Sequence, residues 1–179
     1  MGVEIERRFL VDGRGLKPWR GENKSQIFQT YLDDVKHIDG EIRWNGFVLA
    51  NEPGKISDVT IWRIRLIDEI AILTGKGNRV GAMASEFEWE IPIDIYNALP
   101  LSGLPSLAKT RFYWKSNDNV LWEIDEFEDP LSGIIIAEVE LRSEDHLIAI
   151  PEWVGLEITY LRGWSNAPLS NMIKDAKPT

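Results

Sequence analysis

The chain has 179 residues, 44% of them hydrophobic and 27% charged, and it carries a net charge of −9. That length suits one domain with a full hydrophobic core, expected over residues 1–179. The lack of cysteine excludes disulfides and thiolate metal sites. The acidic balance excludes general binding to nucleic acid or anionic membranes, and no apolar run approaches the ~18 residues of a membrane span. With no signal-peptide pattern at the start, a cytoplasmic location is the expectation.

Strand patterns dominate, as β-branched or aromatic residues at period two between Gly, Pro, Asn and Asp. Strands are predicted near 2–11, 26–33, 41–49, 58–67, 69–74, 84–93, 107–116, 119–127, 133–142 and 155–160. Residues 33–58 carry Gly40, Gly46, Pro53 and Gly54 and read as an additional hairpin or long loop. Asp94 to Pro100 reads as a short helix with Asp94 as N-cap. Lys115-Ser116-Asn117-Asp118-Asn119 reads as a hairpin turn. Ser143 to Ile150 reads as a helix closed by Pro151, and Asn166 to Ala176 as one amphipathic through Leu169, Met172 and Ile173. So many closely spaced strands predict an α+β protein built on a closed antiparallel β-barrel of about eight core strands, with a few helices outside.

The charges are spaced two apart. Glu4, Glu6 and Arg8, then Arg63 and Arg65, Glu86, Glu88 and Glu90, Lys109 and Arg111, and Glu138 and Glu140 each share one face of a strand. Opposite them lie apolar faces such as Trp62, Ile64 and Leu66, or Ala137, Val139 and Leu141. Like charges side by side repel, so folding alone gives no reason to collect them. A solvated face would mix the signs; segregation by strand points instead to charged faces lining the barrel as a tunnel. Glu4, Glu6, Glu138 and Glu140, joined by Asp125, are hard oxygen donors suited to Mg²⁺ or Mn²⁺. Arg8, Arg63, Arg65, Lys76, Lys109 and Arg111 suit a polyanion, Arg as a bidentate fork and Lys as a point charge. The ligand implied is a small metal-bound polyphosphate. Glu86, Glu90, Glu123 and Glu157 are secondary candidates, and Glu86 or Glu90 reads equally as an ion-pair partner of Arg or Lys across the lumen. His37 and His146 form no ligand pair. Gly75-Lys76-Gly77 lacks the spacing of a phosphate loop. Trp62, Trp89, Trp122 and Trp153 are expected to pack the outer wall.

Taken in order, these segments resemble the CYTH superfamily, the triphosphate tunnel metalloenzymes. Glu4-Ile5-Glu6-Arg7-Arg8 is similar to its opening Glu-x-Glu-x-Lys, with Arg8 in place of Lys. Gln29-Thr30-Tyr31-Leu32, Arg63-Ile64-Arg65, Leu73-Thr74-Gly75-Lys76, Glu86-Phe87-Glu88, Lys109-Thr110-Arg111-Phe112, Ile124-Asp125-Glu126-Phe127, Ala137-Glu138-Val139-Glu140-Leu141 and Trp153-Val154-Gly155-Leu156-Glu157-Ile158-Thr159 follow in the family's sequence. Ala84 and Gly163 stand where the family often has Arg. The resemblance implies a divalent-metal-dependent triphosphatase acting inside a charged tunnel, with inorganic triphosphate as the first substrate. It implies Glu88 as a further metal ligand and Glu6, Arg8 and Glu138 as the catalytic set. A class IV adenylate cyclase making cyclic AMP from ATP, or a barrel that holds phosphate compounds without turnover, are the alternatives. A monomer or homodimer is expected.

Overall fold

The computed structural model describes residues 2–56, 58–78, 82–143 and 145–176, with side chains described from residue 5 onward. Twelve strands are present among them: β1 (Gly2–Val11), β2 (Lys24–Leu32), β3 (Lys36–Ile38), β4 (Glu41–Trp44), β5 (Phe47–Asn51), β6 (Val59–Ile67), β7 (Ile70–Gly77), β8 (Met83–Ile91), β9 (Ser106–Lys115), β10 (Leu121–Phe127), β11 (Ile135–Glu140) and β12 (Val154–Glu157). Two α-helices, α1 (Ile93–Ala98) and α2 (Asn166–Ala176), and a 3-10 turn at Arg162–Trp164 complete the set.

Eight strands close an antiparallel barrel in the order β1-β11-β10-β9-β2-β6-β7-β8, with β8 returning to β1. The closing strand β1 pairs with β8 through Gly2–Ile5 and with β11 through Glu6–Leu10. Beyond β8, β12 takes the same edge of β1 at Phe9 and Val11. A bidentate ion pair fixes it there: Arg7 Nε and Nη2 donate to Glu157 at 2.9 and 2.7 Å. Thr159 Oγ1 donates to Glu157 at 2.7 Å and accepts from the Arg8 amide at 3.0 Å.

The apolar faces turn outward, as the sign segregation predicts. Phe9, Phe112, Trp122, Ile124 and Val139 form one layer on the outer wall, covered by Trp19, with Trp153 packed against it. Ile64, Leu73 and Ile91 form a second layer, covered by the β3-β4-β5 sheet and by Tyr96 of α1. Burying each such side chain is worth about 2 kcal/mol, so the barrel is stabilised from outside. Trp62 stacks on Trp89, 5.9 Å between ring centroids, within the second layer.

A third apolar cluster occupies the lumen itself. Leu107, Phe127 and Ile136 share the face of their strands with Arg111, Asp125 and Glu138, one or two alternations further along. They pack with Ile158 and with Leu169 and Ile173 of α2. The charged interior is therefore closed at that end by an apolar plug under α2.

Several sequence expectations are corrected. Residues 41–49 are not one strand: Asn45 and Gly46 have φ of 46° and 84° and turn β4 into β5, and Asp39 and Gly40 (53° and 77°) turn β3 into β4 in the same way. Such paired positive φ values are the hairpin chemistry of Asn-Gly and Asp-Gly. Ser143 to Ile150 forms no helix among its described residues; Glu144 lies outside them. Eight residues are too few to nucleate a helix unaided. Here Ile148 packs on the barrel wall and the Ala149 amide is held by Asp118 at 3.3 Å. In α1 the cap position falls to Pro92, and Asp94 lies in the first turn, where its charge still favours the helix N-terminus. In α2, Leu169 and Ile173 are buried and Met172 faces outward.

Candidate active site

The barrel lumen holds a cavity of about 1280 Å³. Its wall is divided by the strand order. Going round, β8, β1, β11 and β10 are consecutive and bring Glu86, Glu88, Glu6, Glu138, Glu140 and Glu123. The next four, β9, β2, β6 and β7, bring Arg111, Tyr31, Arg63, Arg65 and Lys76. Arg8 is the exception, a cation standing on the acidic half. It sits opposite Glu138 in the β1–β11 ladder, just as Glu6 sits opposite Glu140.

At the two seams the halves are stitched by ion pairs. Across β6-β7-β8, Arg63 Nη2 meets Glu86 at 3.1 Å, Lys76 meets the same carboxylate at 3.3 Å, and Arg65 binds Glu88. Thr74 Oγ1 bridges that last pair, accepting from Arg65 at 3.3 Å and donating to Glu88 at 3.1 Å. At the other seam, Arg111 is held on three sides. Its Nε and Nη2 donate to Asp125 at 2.6 and 2.7 Å, Nη2 also donates to Glu138 at 2.8 Å, and Nη1 binds Glu123. Glu138 accepts from Arg8 Nε at 2.8 Å with its other oxygen.

The electrostatics follow from this packing. Burial works against a charged Glu138, but Arg8, Arg111 and Lys109 outweigh it and hold its pKa well below the usual carboxylate range. Burial raises Glu123 despite Arg111 beside it. Burial also pushes Tyr31 up to about 12, so its hydroxyl stays protonated. Arg65 is brought down to about 10, first by burial and then by Arg63 beside it.

Of the residues expected from sequence, Glu6, Arg8, Arg63, Arg65, Lys76, Glu88, Arg111, Glu138 and Glu140 line this one cavity. Two do not. Lys109 and Asp125 lie beneath it, 1% and 0% exposed, bound to each other above the plug. Lys109 Nζ also lies 5.7 Å from the centroid of the Phe127 ring. In this arrangement Asp125 holds the plane of Arg111 through two hydrogen bonds, and Lys109 binds Asp125. The backbone of Glu4 lies in β1, but its side chain is outside the described residues. Sequence reading missed Thr159, Arg162 and Asn166, which reach the cavity from the C-terminal segment. Thr74 and Tyr31 had a signal, since they alternate in phase with Lys76 and Gln29. Asn166 had none, because only the docking of α2 brings it there.

Burial brings Lys109 down to about 8, with Asp125 opposing the shift. Between pH 8 and the ordinary lysine value of about 10.4 the unfolded chain then binds more protons at this residue than the folded one, so its contribution to stability rises with pH. Urea midpoints at pH 8 and 9.5 should show that rise in the wild type and lose it in Lys109→Met. Equal slopes in both would refute the assignment.

No family model matches the chain. An inorganic triphosphatase of Acetivibrio thermocellus is 28% identical over 177 residues, covering 98% of this chain and 96% of the relative. The similarity thus runs along nearly the whole of both chains: the chain is similar to that inorganic triphosphatase from end to end. An inorganic triphosphatase of Nitrosomonas europaea is 33% identical over 93 residues, covering 50% of this chain and 62% of that protein. A crystal structure of an inorganic triphosphatase superposes with a TM-score of 0.59 at 27% identity, covering 95% of each chain. A Bacillus halodurans structure described as a putative adenylate cyclase shares the barrel fold at 18% identity and a TM-score of 0.52, covering 82% of this chain and 85% of that one.

The acidic half of the lumen supplies oxygen donors for a divalent cation. Among the described residues no three acidic or histidine side chains converge as a preformed cage. Glu6 and Glu140 nonetheless face each other as a like-charged pair across β1 and β11 in an all-oxygen setting. Mg²⁺ is commonly held in this manner, by one or two carboxylates, with water and substrate phosphates completing the sphere. The residues fit a cation that arrives with its phosphate.

Proposed function

We propose that this chain is a divalent-metal-dependent triphosphatase that hydrolyses inorganic triphosphate inside the barrel lumen. One observation carries the reading. Arg8 Nη2, Arg63 Nε and Arg65 Nε are buried in the lumen and have no hydrogen-bond acceptor. Three buried guanidinium donors without acceptors are costly unless an anion rich in oxygen completes them. A triphosphate does so, and the full-length relative is named an inorganic triphosphatase.

In this reading Arg63, Arg65, Arg111 and Lys76 grip the phosphate oxygens from the basic half. Glu6, Glu138 and Glu140, with Glu4 next along β1, would hold the cation, and Glu88 stays with Arg65. What Mg²⁺ or Mn²⁺ supplies in such a setting is neutralisation of phosphate charge and acidification of a bound water. Phosphoryl transfer asks the protein mainly for in-line positioning and electrostatic stabilisation. Water attacks the terminal phosphorus, the bond to the bridging oxygen breaks, and pyrophosphate leaves with the electron pair. Arg8 is too basic to shuttle a proton, so it stabilises charge where the superfamily's lysine has a further option. A small soluble substrate and a cytoplasmic setting accompany this proposal; no described helix is long and apolar enough to cross a membrane.

A phosphate-release panel over inorganic triphosphate, ATP and thiamine triphosphate, each with Mg²⁺ or Mn²⁺, tests it. Release should be fastest from inorganic triphosphate and vanish on chelation. Cyclic AMP from ATP, or tight binding of triphosphate without release over hours, would replace the proposal with one of its two rivals.

A further inference from the structure

The C-terminal helix enters the lumen by its N-terminal end. Ser165, Asn166, Ala167 and Pro168 line the same cavity as the strands, while Leu169 and Ile173 sink into the apolar plug. The Leu169 amide donates to the Ser165 carbonyl at 3.2 Å, which makes Ser165 the cap residue. Its hydroxyl does not cap: it donates to the Arg162 carbonyl at 3.1 Å. The third helical residue is Pro168, which has no amide hydrogen. The amides of Asn166 and Ala167 are therefore the helix donors without an intrahelical acceptor. No acidic side chain lies in this first turn, so the positive end of the helix dipole is uncompensated. Beside it, Asn166 is 9% exposed and its Oδ1 has no hydrogen-bond partner.

An uncapped helix start and a buried orphan acceptor, together on the wall of a lumen that also carries Arg162, Arg63 and Arg65, define a complementary ligand. The geometry points to a second phosphate subsite at the N-terminus of α2, taking the protonated terminal phosphate of the substrate or the orthophosphate released from it. The anionic oxygens accept from the Asn166 and Ala167 amides, and the P–OH donates to Asn166 Oδ1. This inference rests on the triphosphatase reading and adds to it a contact from outside the barrel strands.

The test is calorimetric binding of inorganic triphosphate and of orthophosphate, without divalent cation, to the wild type and to Asn166→Asp. An added carboxylate at this position repels the anion, and the helix dipole offsets part of the cost of burying it, so the fold should persist with a lowered melting temperature. Triphosphate affinity should fall about tenfold, as an unfavourable charge contact of this kind implies, and orthophosphate binding should be lost. Ala167→Pro, tolerated in a first turn, removes one amide donor and should weaken both ligands without unfolding the protein. Unchanged binding in both variants overturns the subsite. If triphosphate fails to bind the wild type even when Mg²⁺ or Mn²⁺ is supplied, the triphosphatase reading falls first. If Arg65→Ala abolishes binding while Asn166→Asp leaves it intact, the lumen keeps its function and α2 loses this one.

Discussion

Replacing Glu138 with glutamine is expected to cut phosphate release from inorganic triphosphate by about three orders of magnitude, the scale for losing a centrally placed electrostatic group. The carboxylate accepts from Arg8 Nε with one oxygen and from Arg111 Nη2 with the other, each at 2.8 Å. A glutamine of the same shape keeps one acceptor and turns an N–H₂ toward one of the two guanidinium groups. That arginine then swings free or stays buried without a counter-charge. Leaving one buried partner unpaired costs about 3 kcal/mol or more, so the urea midpoint should fall together with activity. Glu140 offers the contrast. It is exposed to the lumen and sits opposite Glu6 rather than between arginines. Glu140→Gln should leave the urea midpoint nearly unchanged and raise the Mg²⁺ or Mn²⁺ concentration needed for half-maximal rate. Turnover at the wild-type level in Glu138→Gln would rule out the assigned role of the acidic half. A metal response unaltered in Glu140→Gln would remove that residue from the ligand set.

Much of this arrangement could be read from residue order, for a physical reason. Charge on alternate positions tells which face of a strand points inward, because a strand has only two faces. Arg63 and Arg65, or Glu138 and Glu140, are thus assigned to the lumen without knowledge of any neighbour. Depth along the lumen is a different matter. Lys109 and Arg111 are two residues apart on one face, yet Arg111 lines the cavity and Lys109 is sealed below it. What seals it is Phe127 from β10 and, beyond, the plug formed with Ile158 and α2, all distant in sequence. The same holds for the ion pairs at the seams. Arg65 and Glu88 lie 23 residues apart and meet only because β7 sits between their strands with Thr74 as a bridge. The misread stretch 143–150 fails by the opposite route: its local pattern is helical, but a contact from Asp118 and packing of Ile148 decide its shape.

Asp125→Asn should be the most destabilising single substitution at the site, by about 3–5 kcal/mol, the range for breaking a buried ion pair from one side. The carboxylate is 0% exposed. It accepts from Arg111 Nε and Nη2 at 2.6 and 2.7 Å and also binds Lys109. An asparagine cannot neutralise either cation, and Lys109, sealed below the cavity, cannot reach water. At a domain of this size the melting temperature would drop by roughly 10 °C. The pH dependence gives a second readout. Burial works to raise the pKa of Asp125, and Arg111 and Lys109 outweigh it, so the folded value lies below the ordinary one. A carboxylate depressed in the folded state adds stability above its unfolded pKa, about 3.9, and loses it as pH falls through the lower folded value. Acid unfolding of the wild type should therefore steepen below about pH 4, and the limb should flatten in Asp125→Asn. The double variant Lys109→Met/Asp125→Asn separates charge from shape. Removing the cation that the first substitution leaves unpaired should restore part of the lost stability, because an unpaired buried charge costs more than an apolar side chain of similar length. Additive losses in the double variant would mean that the pair is not coupled and that Arg111 is positioned by something other than Asp125.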